Sequence, residues 1–125
     1  MKSKFIEKQI KFYKSIKPCF CPALKETVYF ASEGLHHLLY KRRRPRKQIE
    51  QHYRVSLLPH VVSVITNATK AIKSISEFNI TTWSLEHKIK KTFKKYVIKV
   101  ILKKDGEGRL SFLSVMEKNH KNKKT

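Results

Sequence analysis

Acidic residues are scarce in this chain, and that scarcity is its loudest feature. Nine Asp and Glu stand against 29 Lys and Arg in 125 residues, a formal net charge of +20. So large an excess opposes compaction and favours a polyanionic partner, nucleic acid or an anionic membrane. The bland alternative is a lysine-rich genome, since all but six of the cations are lysine. The few acids are scattered, which leaves no carboxylate cluster for two-metal nuclease chemistry. Cysteine is nearly absent. Cys19 and Cys21 form a C-x-C, whereas a disulfide framework or a zinc site needs more ligands at wider spacing. They read as reduced thiols in a linker of a cytoplasmic protein. No apolar run approaches the ~20 residues that span a bilayer, and no signal-peptide core follows Met1. There is no phosphate-cradling G-x-x-x-x-G-K-[ST] loop and no nucleophile elbow. The sequence therefore suggests no metal and no cofactor.

What is present is enough for one core. The chain is 40% hydrophobic with thirteen aromatics, which argues against wholesale disorder. Three segments are expected: a basic amphipathic helix and Pro/Cys linker over 1–23, an α+β domain over 24–117, and a disordered basic tail over 118–125. In the first, Phe5, Ile6, Ile10, Tyr13 and Ile16 fall near one helical face. That helix either docks on the domain, the favoured reading, or serves as a membrane-surface anchor. Thr27–Phe30 is a short strand candidate. Ser32 is a plausible N-cap for a short helix with Leu35, Leu38 and Leu39 on its apolar stripe. A longer helix is predicted from about Lys47 to Asn67, kinked at Pro59. Ala71–Ile80 is ambiguous between strand and loop. Thr82–Ile89 and the Tyr96–Met116 stretch alternate as strands.

That last stretch reads as an antiparallel hairpin around DGEG. Closing the loop about Gly106 and Glu107 pairs Val100 with Leu113, Ile98 with Val115, Ile101 with Phe112 and Lys99 with Ser114. The expected architecture is N-terminal helices packed on an antiparallel meander of three to four strands.

Several constellations could carry chemistry. Lys41, Arg42, Arg43, Arg44, Arg46 and Lys47 place six cations in seven residues between two helices, a sequence-blind anchor for phosphates or simply a solvated loop. His36 and His37 open the short helix; adjacent residues face different directions, so at most one looks toward a groove. Taken singly, each is more often an ordinary packing or surface residue than a proton carrier. Arg54 stands alone among apolar neighbours and could reach the sheet, or merely snorkel. On the sheet Lys99 and Ser114 form the pair of interest, with His87 on the neighbouring strand and Lys103 as a further phosphate contact. Metal-free RNA cleavage needs a base for the 2′-hydroxyl proton, cations for the phosphorane oxygens and an acid for the leaving 5′-oxygen.

VYFASEGLHHLLYKRRRPR, HYRVSLLP and YVIKVILKKDGEGRLSFLSV together resemble small nuclease-like domains of the barnase, EndoU, colicin and RelE superfamily, in its phage- and mobile-element-associated branch. The likeness covers about Thr27 to Met116 and is one of spacing. It implies helices packed on a four-stranded antiparallel sheet, metal-independent ribonuclease activity, and a toxin role with an acidic antitoxin or inhibitor as partner. By position, it assigns the site to His37 (with His36 as rival), Arg54, Lys99 and Ser114. The departure is the second proton-transfer residue: His87 is in a suitable strand but matches no family motif. The competing reading is a non-catalytic DNA- or RNA-binding protein that grips phosphates through the same basic face.

Overall fold

A computed structural model of the chain describes residues 3–75, 78–91 and 94–118. The elements run α1 (Lys4–Ser15), β1 (Cys19–Cys21), β2 (Glu26–Tyr29), α2 (Ser32–Leu39), β3 (Tyr40–Lys41), β4 (Arg44–Pro45), α3 (Gln48–Ser56) and a 3-10 turn (Leu58–His60). They continue with α4 (Val61–Asn67), β5 (Ala71–Ile75), β6 (Ile80–Lys91), β7 (Lys94–Asp105) and β8 (Leu110–Glu117). The class is α+β, as expected. The sheet is larger than the expected meander, with six strands in the order β1-β2-β8-β7-β6-β5.

Strands β5 to β8 form the meander, and the ambiguous Ala71 segment belongs to it. The addition comes from the N-terminal side. β1 pairs with β2, and β2 runs parallel to β8 through Val28↔Leu110 and Tyr29↔Ser111. PCFCP is therefore an edge strand and not a linker, and Cys21 is fully buried. Three residues between prolines have no periodicity to reveal such a strand. Its partner is chosen by long-range contact.

α1 begins with Ser3 at the N-cap, whose Oγ accepts the Ile6 N–H at 3.0 Å. Its apolar face goes inward: Ile6 and Tyr13 are buried and Phe5 stacks on His52 at 4.2 Å. Docking thus consumes the face that a membrane anchor needs. The Tyr13 hydroxyl donates to the Ala31 carbonyl at 2.5 Å, tying α1 to the start of α2. At that start Ala31, not Ser32, holds the cap position, with no side-chain bond. Pro59 breaks the expected long helix into α3, a 3-10 turn and α4 instead of kinking it. Val55, Leu58, Val61, Val64 and Ile65 from these pieces meet Leu85, Ile98, Val100, Leu102, Phe112 and Val115 of the sheet in one core.

The β7–β8 register differs from the expected one, and the difference matters for the site. Lys103 pairs with Ser111 and Leu102 with Phe112, one residue along from closure about Gly106 and Glu107. A bulge between Ile101 and Leu102 adds a second residue, so Ile101 faces Ser114, Val100 faces Val115 and Lys99 faces Met116. Two single-residue shifts restore the face of Val115, since strand side chains alternate with period two. The bulge also puts Ser114 and Val115, neighbours in sequence, both in the interior at 2% and 0% exposure. From residue 119 onward the expected disordered tail lies outside the described residues, as do the tips of the β5–β6 and β6–β7 connections.

Candidate nucleic-acid interface and active site

The site is assembled where the C-terminal end of α2, the basic hairpin, α3 and the bulge of β8 meet. Leu38 and Leu39 anchor α2 in the core, and Gly34 lets it lie directly on β8 beside Phe112. The last carbonyls of α2 receive donors from β4's end and from α3. Leu39 O accepts from Arg46 N at 2.8 Å and from Gln51 Nε2 at 2.9 Å, while His37 O accepts from Arg46 Nε at 3.2 Å. A helix C-terminus favours cations and leaves its carbonyls open, so Arg46 is drawn to this end.

Arg54 comes from α3 on the other side. Its Nη1 donates to Ser114 Oγ at 3.0 Å, and its Nε to Glu50 Oε2 at 2.8 Å. Glu50 is one helical turn before Arg54, the spacing at which two side chains meet on one face. Burial and the neighbouring Arg54 guanidinium hold Arg46 below its ordinary pKa, with Glu50 acting the other way. Two guanidiniums thus crowd one carboxylate in a half-buried place. An anion would complete the charge balance.

His37 sits in the same field. Partial burial lowers its pKa first, then Arg46 and Arg54, against a smaller upward pull from Glu33. Among the described residues its imidazole makes no hydrogen bond. It is therefore mostly neutral near pH 7 and able to accept a proton. The lowered value also fixes the sign of the stability effect. Below pH ~6.5 the unfolded chain protonates this histidine before the folded one does. The contribution is whole above that pH and lost as pH falls toward the lowered folded value. We expect the His37 ring resonance to titrate below pH 6.5, and Arg46→Gln to raise its midpoint. An NMR titration with a midpoint at or above 6.5 contradicts this environment.

The other sequence candidates are spread more widely. His36 is exposed and stacks on Tyr40 at 4.4 Å, so it is the surface member of the pair. Lys99 pairs with Glu86 and Met116, and alternates with buried Ile98 and Val100. It therefore lies on the sheet face away from the helices, and the expected Lys99–Ser114 pair does not form. His87 lines a shallow groove with Asn67, Thr69 and Lys118 beside the end of α4. Lys103 is ion-paired with Glu33 at 2.6 Å and lies 3.6 Å from Asp105, and those partners raise its pKa. Sequence reasoning misses Glu50, although its i, i+4 spacing to Arg54 is an available signal. It also misses the contact of Tyr53 with Glu117, whose backbone N–H donates to the Tyr53 hydroxyl at 3.0 Å.

Lys41, Arg42, Arg43 and Arg44 occupy the β3–β4 hairpin and are exposed, as is Lys47. Arg42 turns the hairpin with φ 63°, a left-handed conformation that costs a non-glycine residue roughly 1–2 kcal/mol. Strain of this kind is held where the surrounding structure demands it. The tight turn presents the arginines around an open groove lined by Lys41, Arg42, Arg43, Arg44 and Pro45, next in the chain to Arg46. Comparison with protein-family models, with curated proteins and with solved structures finds no match for this chain.

Proposed function

We propose that the chain binds RNA and cleaves it without a metal ion, by attack of the 2′-hydroxyl on the adjacent phosphodiester. The convergence of His37, Arg46 and Arg54 over buried Ser114, beneath an exposed cationic hairpin, carries this reading. In it, the hairpin draws in the phosphate backbone and His37 takes the 2′-hydroxyl proton. Arg46 and Arg54 donate to the phosphorane oxygens, with Arg54 aimed by Glu50 and Ser114. The 2′-oxygen–phosphorus bond forms and the bond to the 5′-oxygen breaks. Water protonates the leaving oxygen, giving a 2′,3′-cyclic phosphate and a 5′-hydroxyl. A positioned acid or base is worth typically ~10²–10⁴-fold, so a site with one proton carrier turns over slowly. A toxin role, and an acidic protein that restrains it, belong to the same proposal.

The second reading, a non-catalytic grip on DNA or RNA, is favoured by one observation. Among the described residues, His87 stands apart from the cluster, His36 is stacked on Tyr40 and His52 on Phe5, so none of these three joins His37 as a second proton carrier. One experiment separates the two. Mixed RNA is incubated with the protein in EDTA, and binding is followed against salt. Cleavage that disappears in His37→Ala supports the first reading. Binding without turnover, unchanged in His37→Ala, supports the grip. In both, Arg42→Ala/Arg43→Ala/Arg44→Ala is expected to weaken binding and flatten the salt dependence by about two to three phosphate contacts.

A further inference from the structure

Among the described residues the sheet ends at β5, which pairs with β6 on one side only. Natural edge strands are blunted by charge, proline, bulges or a covering element. β5 has little of this. It reads Ala-Ile-Lys-Ser-Ile, with one lysine and no proline, and its register runs evenly from Ala71↔Leu85 to Ile75↔Thr81. Ile72 and Ile75 are 65% and 64% exposed, and Phe78, just beyond the strand, is 76% exposed. Among the described residues the other large exposed apolar side chains, Phe12, Phe20 and Ile49, lie singly on α1, β1 and α3. Ile72 and Ile75 differ in parity, so both faces of this edge present an apolar side chain. The opposite edge is managed differently, because α4 packs against β1.

We infer that β5 is a strand-addition site that takes an extended, acidic segment of another protein. Added strands gain main-chain hydrogen bonds along the open edge, and alternate side chains set specificity. Charge decides which strand. A second copy of this chain brings another +20. An antiparallel β5–β5 pair centred on the strand would also set Lys73 against Lys73, and like charges directly opposite are destabilising. Carboxylates opposite Lys73 and near Lys70 reverse that sign, while β-branched residues cover Ile72 and Ile75. Nucleic acid offers neither a backbone ladder nor apolar side chains. This inference stands apart from the proposed RNA cleavage.

The test uses the full chain and two synthetic octapeptides, one alternating Glu with Val and one alternating Lys with Val. The Glu–Val peptide is expected to slow hydrogen exchange of β5 amides. Its affinity, read by fluorescence anisotropy, is expected to fall by about tenfold in Ile72→Lys/Ile75→Lys and to weaken in Ile72→Ser/Ile75→Ser. It is expected to be retained when Arg42, Arg43 and Arg44 are alanine. The opposite pattern would mean that the peptide only coats the cationic hairpin, and would overturn the inference. Equal binding of the Lys–Val peptide, or a dimer in sedimentation that is lost in the isoleucine variants, would overturn it too.

Discussion

Arg54→Ala is expected to lower folding stability by roughly 1–3 kcal/mol, the cost of leaving a buried polar group without its partner, and, under the proposed RNA cleavage, to remove most of the activity. The Arg54 side chain is 16% exposed and donates to both Ser114 and Glu50. Removing it leaves the hydroxyl of Ser114, 2% exposed, without its donor, and frees the Glu50 carboxylate beside the remaining site. In the cleavage reading it also removes a donor from the phosphorane oxygens, an effect of about 10²–10³ in rate. Arg54→Lys keeps the charge but loses the planar fork that spans two acceptors, so partial activity is expected. A double variant separates structure from chemistry. Arg54→Leu with Ser114→Ala removes both buried polar partners and is expected to recover most of the stability, because paired loss of donor and acceptor is nearly neutral. Cleavage is expected to remain lost. Denaturant unfolding beside product analysis reads both. Activity returning with stability would make Arg54 a scaffold residue and leave Arg46 as the cation beside His37.

Gly34→Ala is expected to be the most damaging small substitution in α2. Helix propensity alone argues the other way, since alanine is favoured over glycine by about 1 kcal/mol inside a helix. Packing overrules it. A Cβ at this position would lie 2.6 Å from the Phe112 carbonyl oxygen and 2.7 Å from both the Phe112 ring and the Tyr13 hydroxyl. The carbonyl belongs to the β8 backbone and cannot yield without disturbing the ladder next to the bulge. α2 must therefore lift off the sheet. Overpacking of this sort costs typically ~1–3 kcal/mol, occasionally more, so a net loss is expected even after the propensity gain. His37 lies three residues further along the same helix and moves with it. A lowered midpoint in denaturant, with a changed His37 titration, is the expected result. A midpoint equal to or above wild type would mean that α2 does not press on β8 as described.

The elements with strong periodicity were legible in the chain. The β6 and β7 alternation, the Leu35, Leu38 and Leu39 stripe, the α1 face and the basic run all appear where residue pattern puts them, because burial on one face imposes a period that needs no knowledge of the partner. Arg54 and Ser114 could be named as candidates, although the contact between them could not. That contact depends on a longer turn and on a bulge between Ile101 and Leu102, and single-residue insertions leave no trace in an alternating pattern.

The sequence by itself determined the α+β class, the excess of positive charge, and a histidine and an arginine on helices facing the sheet. Tertiary structure alone decided which cations meet. It drew Arg46 away from its hairpin neighbours to the end of α2, turned Lys99 to the far face, and occupied Lys103 with Glu33. It also made PCFCP a strand through pairing with β2, which in turn runs parallel to β8. The reason is physical: periodicity is a local property of the chain, whereas register, parallel pairing and the contact of Arg54 with Ser114 are settled by residues far apart in sequence.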